Sequence, residues 1–179
     1  HTWSLAIEMH FYLIWGFVVW LLGRHQDNLA KFRSLIFAIS AAFFTGSFLT
    51  MFVRAFFVDN VSMIYFSSLT HSFPFFLGAM AATMTGIRET TIRFKKNVRL
   101  WSTKRSIVTM LVSAALLVLL MFTLKFDQRI TYLFGFILAS LFAIVMIYAA
   151  RVLNDQTPNA KEPAIINYLA DVSYGVYLF

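Results

Sequence analysis

Long apolar runs separated by short polar segments dominate the chain. Three runs of membrane-spanning length carry no charge: Leu35–Val53, Ser106–Leu124 and Ile130–Ala150. Two more runs have that length but contain polar residues, at about 3–22 and 69–87. A sixth begins near Asn167 and stops at Phe179, which is shorter than the roughly 20 residues that a spanning helix needs. This pattern predicts a protein that crosses a membrane several times.

The runs are continuously apolar, which favours helices over strands. Transmembrane strands alternate apolar and polar residues over about ten positions, whereas a helix satisfies all its backbone hydrogen bonds within one segment. We therefore predict an all-α, polytopic integral membrane helical bundle with five full spans and a truncated sixth. The predicted spans are about 3–22, 35–53, 69–87, 106–124, 130–150 and 167–179. Because neither end resembles a natural terminus, we interpret the chain as an internal fragment of one transmembrane domain covering 1–179.

Composition supports this class and removes others. Hydrophobic residues make up 60% and charged residues 13% of the chain, whereas soluble domains are about a quarter charged. The absence of cysteine excludes disulfides and a cysteine nucleophile. Four histidines without ligand spacing predict no metal site, and no nucleotide-binding glycine loop is present.

Basic residues concentrate in three of the connecting segments. Segments 23–34, 88–105 and 151–166 hold 12 of the 15 lysines and arginines. By the positive-inside rule these segments are cytoplasmic, so residue 1 lies on the outer side. The net charge of +7 then needs no nucleic-acid partner, because topology and contact with anionic membrane lipid explain it. Segment 88–105 is either a solvated, lipid-facing loop or a surface that binds a phosphate-bearing donor.

Two polar residues in the first span are candidates for chemistry. On a helix, Ser4, Glu8 and Tyr12 lie on one face, whereas Glu8 and His10 are about 200° apart and cannot pair with each other. A charge within lipid costs roughly 3 kcal/mol, so such residues usually face a bundle interior or a wet cavity. Glu8 is therefore either a site residue below the outer surface or a structural carboxyl, and His10 is a site residue or a polar contact.

The third and last spans carry further polar groups. Ser67, Ser68, Thr70 and His71 precede Pro74, which is either a first-turn residue or a kink. These residues predict the wall of a polar cavity near the outer side, or alternatively an ordinary interfacial loop end. Asp171, Ser173 and Tyr174 interrupt the last apolar run, where packing beside Gly175 is the alternative explanation.

Three segments resemble motifs of the membrane acyltransferase 3 family. TWSLAIEMHFYLIWG is similar to its W-S-L-x-x-E-x-x-F-Y-L signature, matching at Trp3, Ser4, Leu5, Glu8, Phe11, Tyr12 and Leu13. YFSSLTHSFPFFLGAMAA resembles a second motif, matching at Tyr65, Ser67, Thr70, Leu77, Gly78 and Ala79. VSYGVYLF resembles a third, matching at Ser173, Tyr174, Gly175, Tyr177 and Leu178. Two positions depart from the family: Met9-His10 replaces Glu-Gln, and His71 replaces a frequent arginine.

The resemblance implies an integral-membrane O-acyltransferase of the bacterial plasma membrane. Such an enzyme moves an acyl group, here expected to be acetyl, from cytoplasmic acyl-CoA to a hydroxyl of an envelope polysaccharide, with peptidoglycan the first expected acceptor. No cofactor is expected to be bound, since acyl-CoA is the donor substrate. The family's catalytic histidine lies in early helices that this chain lacks, so the fragment alone is expected to be inactive. Relatives acting on peptidoglycan often carry an extracellular esterase-like domain.

On this interpretation the candidate residues fall into three groups. The catalytic candidates are Glu8, His10 and His71. The substrate path is expected to include Ser4, Tyr12, Ser67, Thr70, Ser173 and Tyr174. The donor-binding candidates are Arg93, Lys95, Lys96 and Arg99.

Two other functions remain open from the residues alone. In a multi-pass transporter or flippase, Glu8 and His71 would line a polar path; paired broken helices or an inverted repeat would favour it, and only one break, at Pro74, is visible. In a structural or assembly subunit, Glu8 would only hydrogen-bond to neighbouring helices.

Overall fold

A computed structural model describes residues 2–25, 28–57, 64–86, 91–125, 127–158, 164, 167–168 and 170–173. Across these residues all regular structure is helical, with no strand. The helices are α1 (Thr2–His25), α2 (Leu29–Phe57), α3 (Ser68–His71), α4 (Phe73–Thr85), α5 (Ile92–Leu100), α6 (Thr103–Thr123) and α7 (Phe136–Gln156). A π-helical turn, Thr131–Gly135, leads directly into α7.

Four helical segments among the described residues are long and apolar enough to cross a membrane. These are Leu5–His25, Leu29–Phe57, Thr103–Thr123 and Thr131–Gln156. They correspond to the first, second, fourth and fifth predicted spans, and the all-α membrane bundle is confirmed. Most of the predicted sixth span lies outside the described residues.

The third predicted span, 69–87, is a broken helix. Helix α3 ends at His71, Ser72 interrupts, and α4 begins at Phe73 with Pro74 in its first turn. A continuous helix would force the proline ring against the carbonyl oxygen four residues earlier, whereas a first-turn proline needs no intrahelical amide hydrogen. Of the two roles predicted for Pro74, the first-turn role is the observed one. Helix α4 has 13 residues and is about 20 Å long.

The core lies where this broken helix packs against α2 and the π-helical turn. Phe73, Met51 and Tyr132 are each at most 1% exposed and form one buried cluster with Ala55 and Ile64. The ring of Phe73 meets α2 edge-on, at 6.0 Å from Phe44 and 5.9 Å from Phe48. Edge-to-face aromatic packing of this kind holds the break in a fixed position.

Segment 88–105, predicted as a loop, contains helix α5. Thr91 caps it by accepting a hydrogen bond from the backbone N–H of Phe94. The hydroxyl of Thr91 also donates to the carbonyl of Met84 at 2.7 Å, which brings the start of α5 to the end of α4. Only Phe94 of this helix is buried, and four of the other eight residues are basic. Residues 92–100 therefore form a short amphipathic helix rather than part of an irregular loop.

Helices α1, α2, α4, α6 and α7 run between two ends of the bundle, and most of the basic residues lie at one of these ends. We call this the basic end: it holds the end of α1, the start of α2, the end of α4, α5, the start of α6 and the end of α7. The opposite end holds the start of α1, the end of α2, α3, the end of α6 and the π-helical turn. Among the described residues, only Arg54, Lys125 and Arg129 are lysines or arginines at the opposite end. The predicted grouping of the basic segments agrees with this arrangement.

Candidate functional site

A groove of about 280 Å³ runs between α1, α2 and the break between α3 and α4. We call it the α1 groove. Its walls are mostly aromatic and aliphatic, and its polar side chains are His10, Ser68 and Ser72. The lining residues are Ile7, His10, Phe11, Ile14, Trp15, Val18, Phe43, Ser68, Leu69, Ser72 and Phe76. A largely apolar cavity with a few convergent polar groups is the usual form of a small-molecule site.

Aromatic contacts fix the face of α1 that lines this groove. The ring of Phe11 stacks on Phe75 at 4.8 Å, and Trp15 meets Phe76 edge-on at 5.5 Å. Ile7 is only 6% exposed. Since successive helical residues are about 100° apart, Glu8 lies on one flank of the stripe formed by Ile7 and Phe11, and His10 lies on the other.

The two candidates in α1 therefore occupy different environments. His10, which borders the groove, is exposed, whereas Glu8 is half-buried and does not line it. Neither geometry nor spacing lets the two side chains act as a pair. That a catalytic partner of either residue would come from another helix stays a prediction.

Serine hydroxyls satisfy the backbone at the helix break beside the groove. The Ser47 hydroxyl, from α2, donates to the carbonyl oxygen of Leu69, and Ser72 donates to the Ser47 hydroxyl oxygen at 3.1 Å. Ser72 also reaches the Leu69 carbonyl at 3.2 Å. Because an unpaired carbonyl in lipid is costly, this serine pair stabilises the break and sets the polar edge of the groove.

Thr70 and His71 lie near the groove but face away from it. Thr70 is fully buried, and its hydroxyl donates to the carbonyls of Ile64 at 2.6 Å and Ser67 at 2.9 Å. The His71 ring contacts the rings of Tyr65 at 5.1 Å and Phe136 at 4.9 Å. The structure thus places His71 in an aromatic cluster on the α7 side, apart from His10.

Among the described residues, the other members of the predicted path do not line the α1 groove. Tyr12 is 65% exposed on α1, and Ser67 is a half-buried residue that precedes α3. Ser173 is exposed, and its hydroxyl donates to the carbonyl of Ala170 at 2.8 Å. Tyr174 and the side chain of Ser4 lie outside what the structure describes.

A second, more polar groove lies at the basic end. This α5–α7 groove has a volume of about 580 Å³ and is lined by Lys95, Val98, Arg99, Asn154, Asp155 and Pro158. Of the four predicted donor-binding residues, Lys95 and Arg99 line it. Arg93 and Lys96 are exposed elsewhere on α5. Two cations beside an amide and one carboxylate suit a ligand that carries phosphate together with hydrogen-bond donors.

Sequence reasoning missed Ser72, which lines the α1 groove, its partner Ser47, and two polar residues of the α5–α7 groove. Ser47 lies in an uncharged apolar run and gives no signal of its own, because its role depends on the break it faces. Asn154 and Asp155 come three and four residues after Arg151 in the chain, and their polarity could have marked the end of the span. Among the described residues, no group of three histidine, aspartate or glutamate side chains could hold a metal ion.

The fold and the two grooves define the class of protein. The chain is a helical membrane protein with an apolar groove between its helices and a polar, cationic groove at its basic end. The family model described as an acyltransferase domain matches residues 1–179, so the chain belongs to the membrane acyltransferase 3 family. No curated protein and no solved structure gives a significant match. The chain is thus a membrane acyltransferase domain.

Proposed function

We propose that this domain serves an O-acyltransferase of the bacterial plasma membrane. It moves an acyl group, acetyl in the first instance, from cytoplasmic acyl-CoA to a hydroxyl of an envelope polysaccharide such as peptidoglycan. The observation that carries this proposal is the family match over residues 1–179. Two grooves at different depths support it, since donor and acceptor come from opposite sides of the membrane.

On this proposal the basic end is cytoplasmic and receives the donor. Lys95 and Arg99 in the α5–α7 groove bind phosphate groups of CoA, and Asn154 adds an amide. The polar edge of the α1 groove lies towards the opposite, outer end. From His10 to His25 the rise along α1 is about 22 Å. The thioester end of the bound acyl-CoA therefore has to reach through most of the membrane thickness to meet an acceptor on the outer side.

The transfer itself is an ordinary acyl substitution. The acceptor oxygen attacks the thioester carbonyl carbon, a C–O bond forms and the C–S bond breaks. A base takes the hydroxyl proton, and a proton goes to the departing thiolate. Histidine is the usual base for such a step, and a carboxylate can orient it and stabilise its charged form. Glu8 is proposed for that carboxylate role, while His10 and His71 remain the candidate imidazoles within this chain.

Substitution of Glu8 by Gln in the full-length protein tests the proposal. The change removes the negative charge and keeps the side-chain shape. We expect membrane abundance to stay normal and glycan acylation to fall at least 100-fold, the usual scale for removing an acid–base group. Acylation is measured by releasing and quantifying ester-linked acyl groups from purified envelope glycan.

Asp127→Asn is the matched control, because it removes the same charge from an exposed position at the same end of the bundle. It should leave acylation unchanged. Full acylation in the Glu8 variant would refute the catalytic role of this carboxyl. Loss of the protein from the membrane would instead assign Glu8 to helix packing, and altered solute flux with normal acylation would indicate a transporter.

A further inference from the structure

Helix α5 carries an exposed ridge that the α5–α7 groove does not use. Ile92, Lys96 and Leu100 are spaced four residues apart and therefore line one strip of the helix surface. Ile92 is 89% exposed and Leu100 is 68% exposed. Arg93 is three residues before Lys96 and borders this strip on the side away from Lys95 and Arg99. We call these four residues the α5 ridge. Large apolar side chains beside lysine and arginine are the composition of helices that lie in a membrane interface.

The opposite face of α5 is held firmly against the bundle. Phe94 is 2% exposed and meets the ring of Tyr148 edge-on at 5.2 Å, and Asn97 donates to the Tyr148 hydroxyl at 3.1 Å. The Gln156 amide donates to the carbonyls of Val98 at 3.0 Å and Trp101 at 2.5 Å. With these contacts α5 cannot turn its apolar ridge inward, so the ridge must meet whatever surrounds the basic end.

Aromatic residues mark the depth of α5 relative to the bilayer. Trp101 follows α5 directly, and the guanidinium of Arg105 lies 4.5 Å from the centre of its ring. At the same end of the bundle, Arg24 lies 5.6 Å from the ring of the exposed Trp20 on α1. Tryptophan beside arginine is typical of the boundary between hydrocarbon and headgroups. Helix α5 therefore lies at headgroup depth, with anionic phosphates within reach of its cations.

We propose that the α5 ridge is a docking surface for anionic phospholipid. Ile92 and Leu100 insert among the upper parts of the acyl chains, while Arg93 and Lys96 contact lipid phosphates. The neighbouring strip, Lys95 and Arg99, faces the α5–α7 groove instead. One short helix thus presents two pairs of cations to two different anions: a membrane lipid on the ridge and a soluble ligand in the groove.

Insertion of the ridge is tested by site-directed spin labelling in lipid nanodiscs. The chain contains no cysteine, so Ile92→Cys provides a single labelling site in the purified protein. In nanodiscs containing phosphatidylglycerol, the label should collide more with oxygen than with a water-soluble nickel chelate. Asn154→Cys, an exposed position on α7 in the α5–α7 groove, should instead collide more with the nickel chelate than with oxygen. A label at position 92 that is open to the chelate, or closed to both reagents because protein covers it, overturns the proposal.

Lipid selectivity is tested with two charge-matched pairs of substitutions. Arg93→Gln with Lys96→Gln and Lys95→Gln with Arg99→Gln each remove two positive charges from α5. Native mass spectrometry with phosphatidylglycerol and with phosphatidylcholine then measures lipid affinity. The ridge pair should weaken phosphatidylglycerol binding about 30-fold, because each basic contact contributes roughly a fivefold factor at the surface. The groove pair should change it little.

Equal losses in the two pairs would show that net charge alone attracts the lipid, and would overturn the ridge assignment. Binding of acyl-CoA provides an independent readout on the same two double variants. The groove pair should weaken it and the ridge pair should not. Failure of the lipid proposal can therefore be distinguished from failure of the proposed acyl transfer, because each depends on a different pair of cations.

Discussion

Neighbouring polar residues at the helix break have different roles that the sequence does not separate. Thr70 is predicted to line a polar cavity, and Ser72, which that prediction does not include, is two residues further along the chain. Ser72 borders the α1 groove, whereas Thr70 is fully buried and uses its hydroxyl to pair backbone carbonyls. A polar residue in a membrane helix therefore signals either a site or a backbone group that needs a partner. Only the direction in which the side chain points, towards a cavity or towards a backbone carbonyl, decides between the two.

Replacing Thr70 by Val tests the structural role at the residue scale. Valine keeps the shape but cannot donate to the carbonyl of Ile64, so this buried acceptor loses the hydroxyl. The Ser67 carbonyl loses it too but still accepts from two backbone amides. We expect the free energy of unfolding to fall by about 1–3 kcal/mol. Thr70→Ser keeps the hydroxyl and should lose less. The measurement is thermal unfolding in detergent or nanodiscs; equal stability of the valine variant and the original protein would contradict the role.

At the scale of elements, sequence analysis missed helix α5, which is helical because of its contacts with neighbouring elements. Helix α5 has nine residues, which is shorter than an isolated helix needs for stability in water. Its basic composition predicts a loop, and its helical form depends on the Thr91 cap, the buried Phe94 ring and the Gln156 amide. By contrast, the spanning helices are determined locally, because an apolar run in lipid has few alternatives.

Gln156→Met should loosen α5 without removing it. The substitution keeps side-chain length but leaves the carbonyls of Val98 and Trp101 without their amide donor. Amide hydrogens of residues 92–101 should exchange about five- to tenfold faster, corresponding to roughly 1–1.4 kcal/mol of lost local stability. Hydrogen exchange with mass spectrometry measures this. Gln128→Met, at an exposed position, is the control. Unchanged exchange in both variants would show that the Gln156 amide does not stabilise α5.

At the scale of the whole molecule, the asymmetry between the two ends carries the functional argument. Cations and the polar α5–α7 groove lie at the basic end, and the α1 groove has its polar edge at the other. A bundle with such polarity can accept different reactants from the two sides of a membrane. This arrangement is the reason that the orientation of the bundle matters for the proposed reaction.

Cysteine labelling tests that orientation. Lys104→Cys lies at the basic end and Gln128→Cys at the opposite end, both at exposed positions in a chain without native cysteine. In intact cells a membrane-impermeant maleimide should label position 128, and position 104 should react only after the membrane is opened. The distribution of lysine and arginine gives this expectation. The reverse pattern would place the basic end outside and would remove the proposed site for cytoplasmic acyl-CoA.

The sequence by itself determined the class, the spanning helices and the grouping of basic segments, because burial of backbone in lipid and the charge rule act on each segment separately. It also carried the family motifs, which the family match supports. The tertiary structure alone decided that Pro74 starts a new helix, that His10 and not His71 borders the α1 groove, and that the four cations of α5 divide into two pairs. Each of these three features depends on which side of a helix packs against a neighbouring helix. Packing decides that side, and the residue sequence alone does not show it.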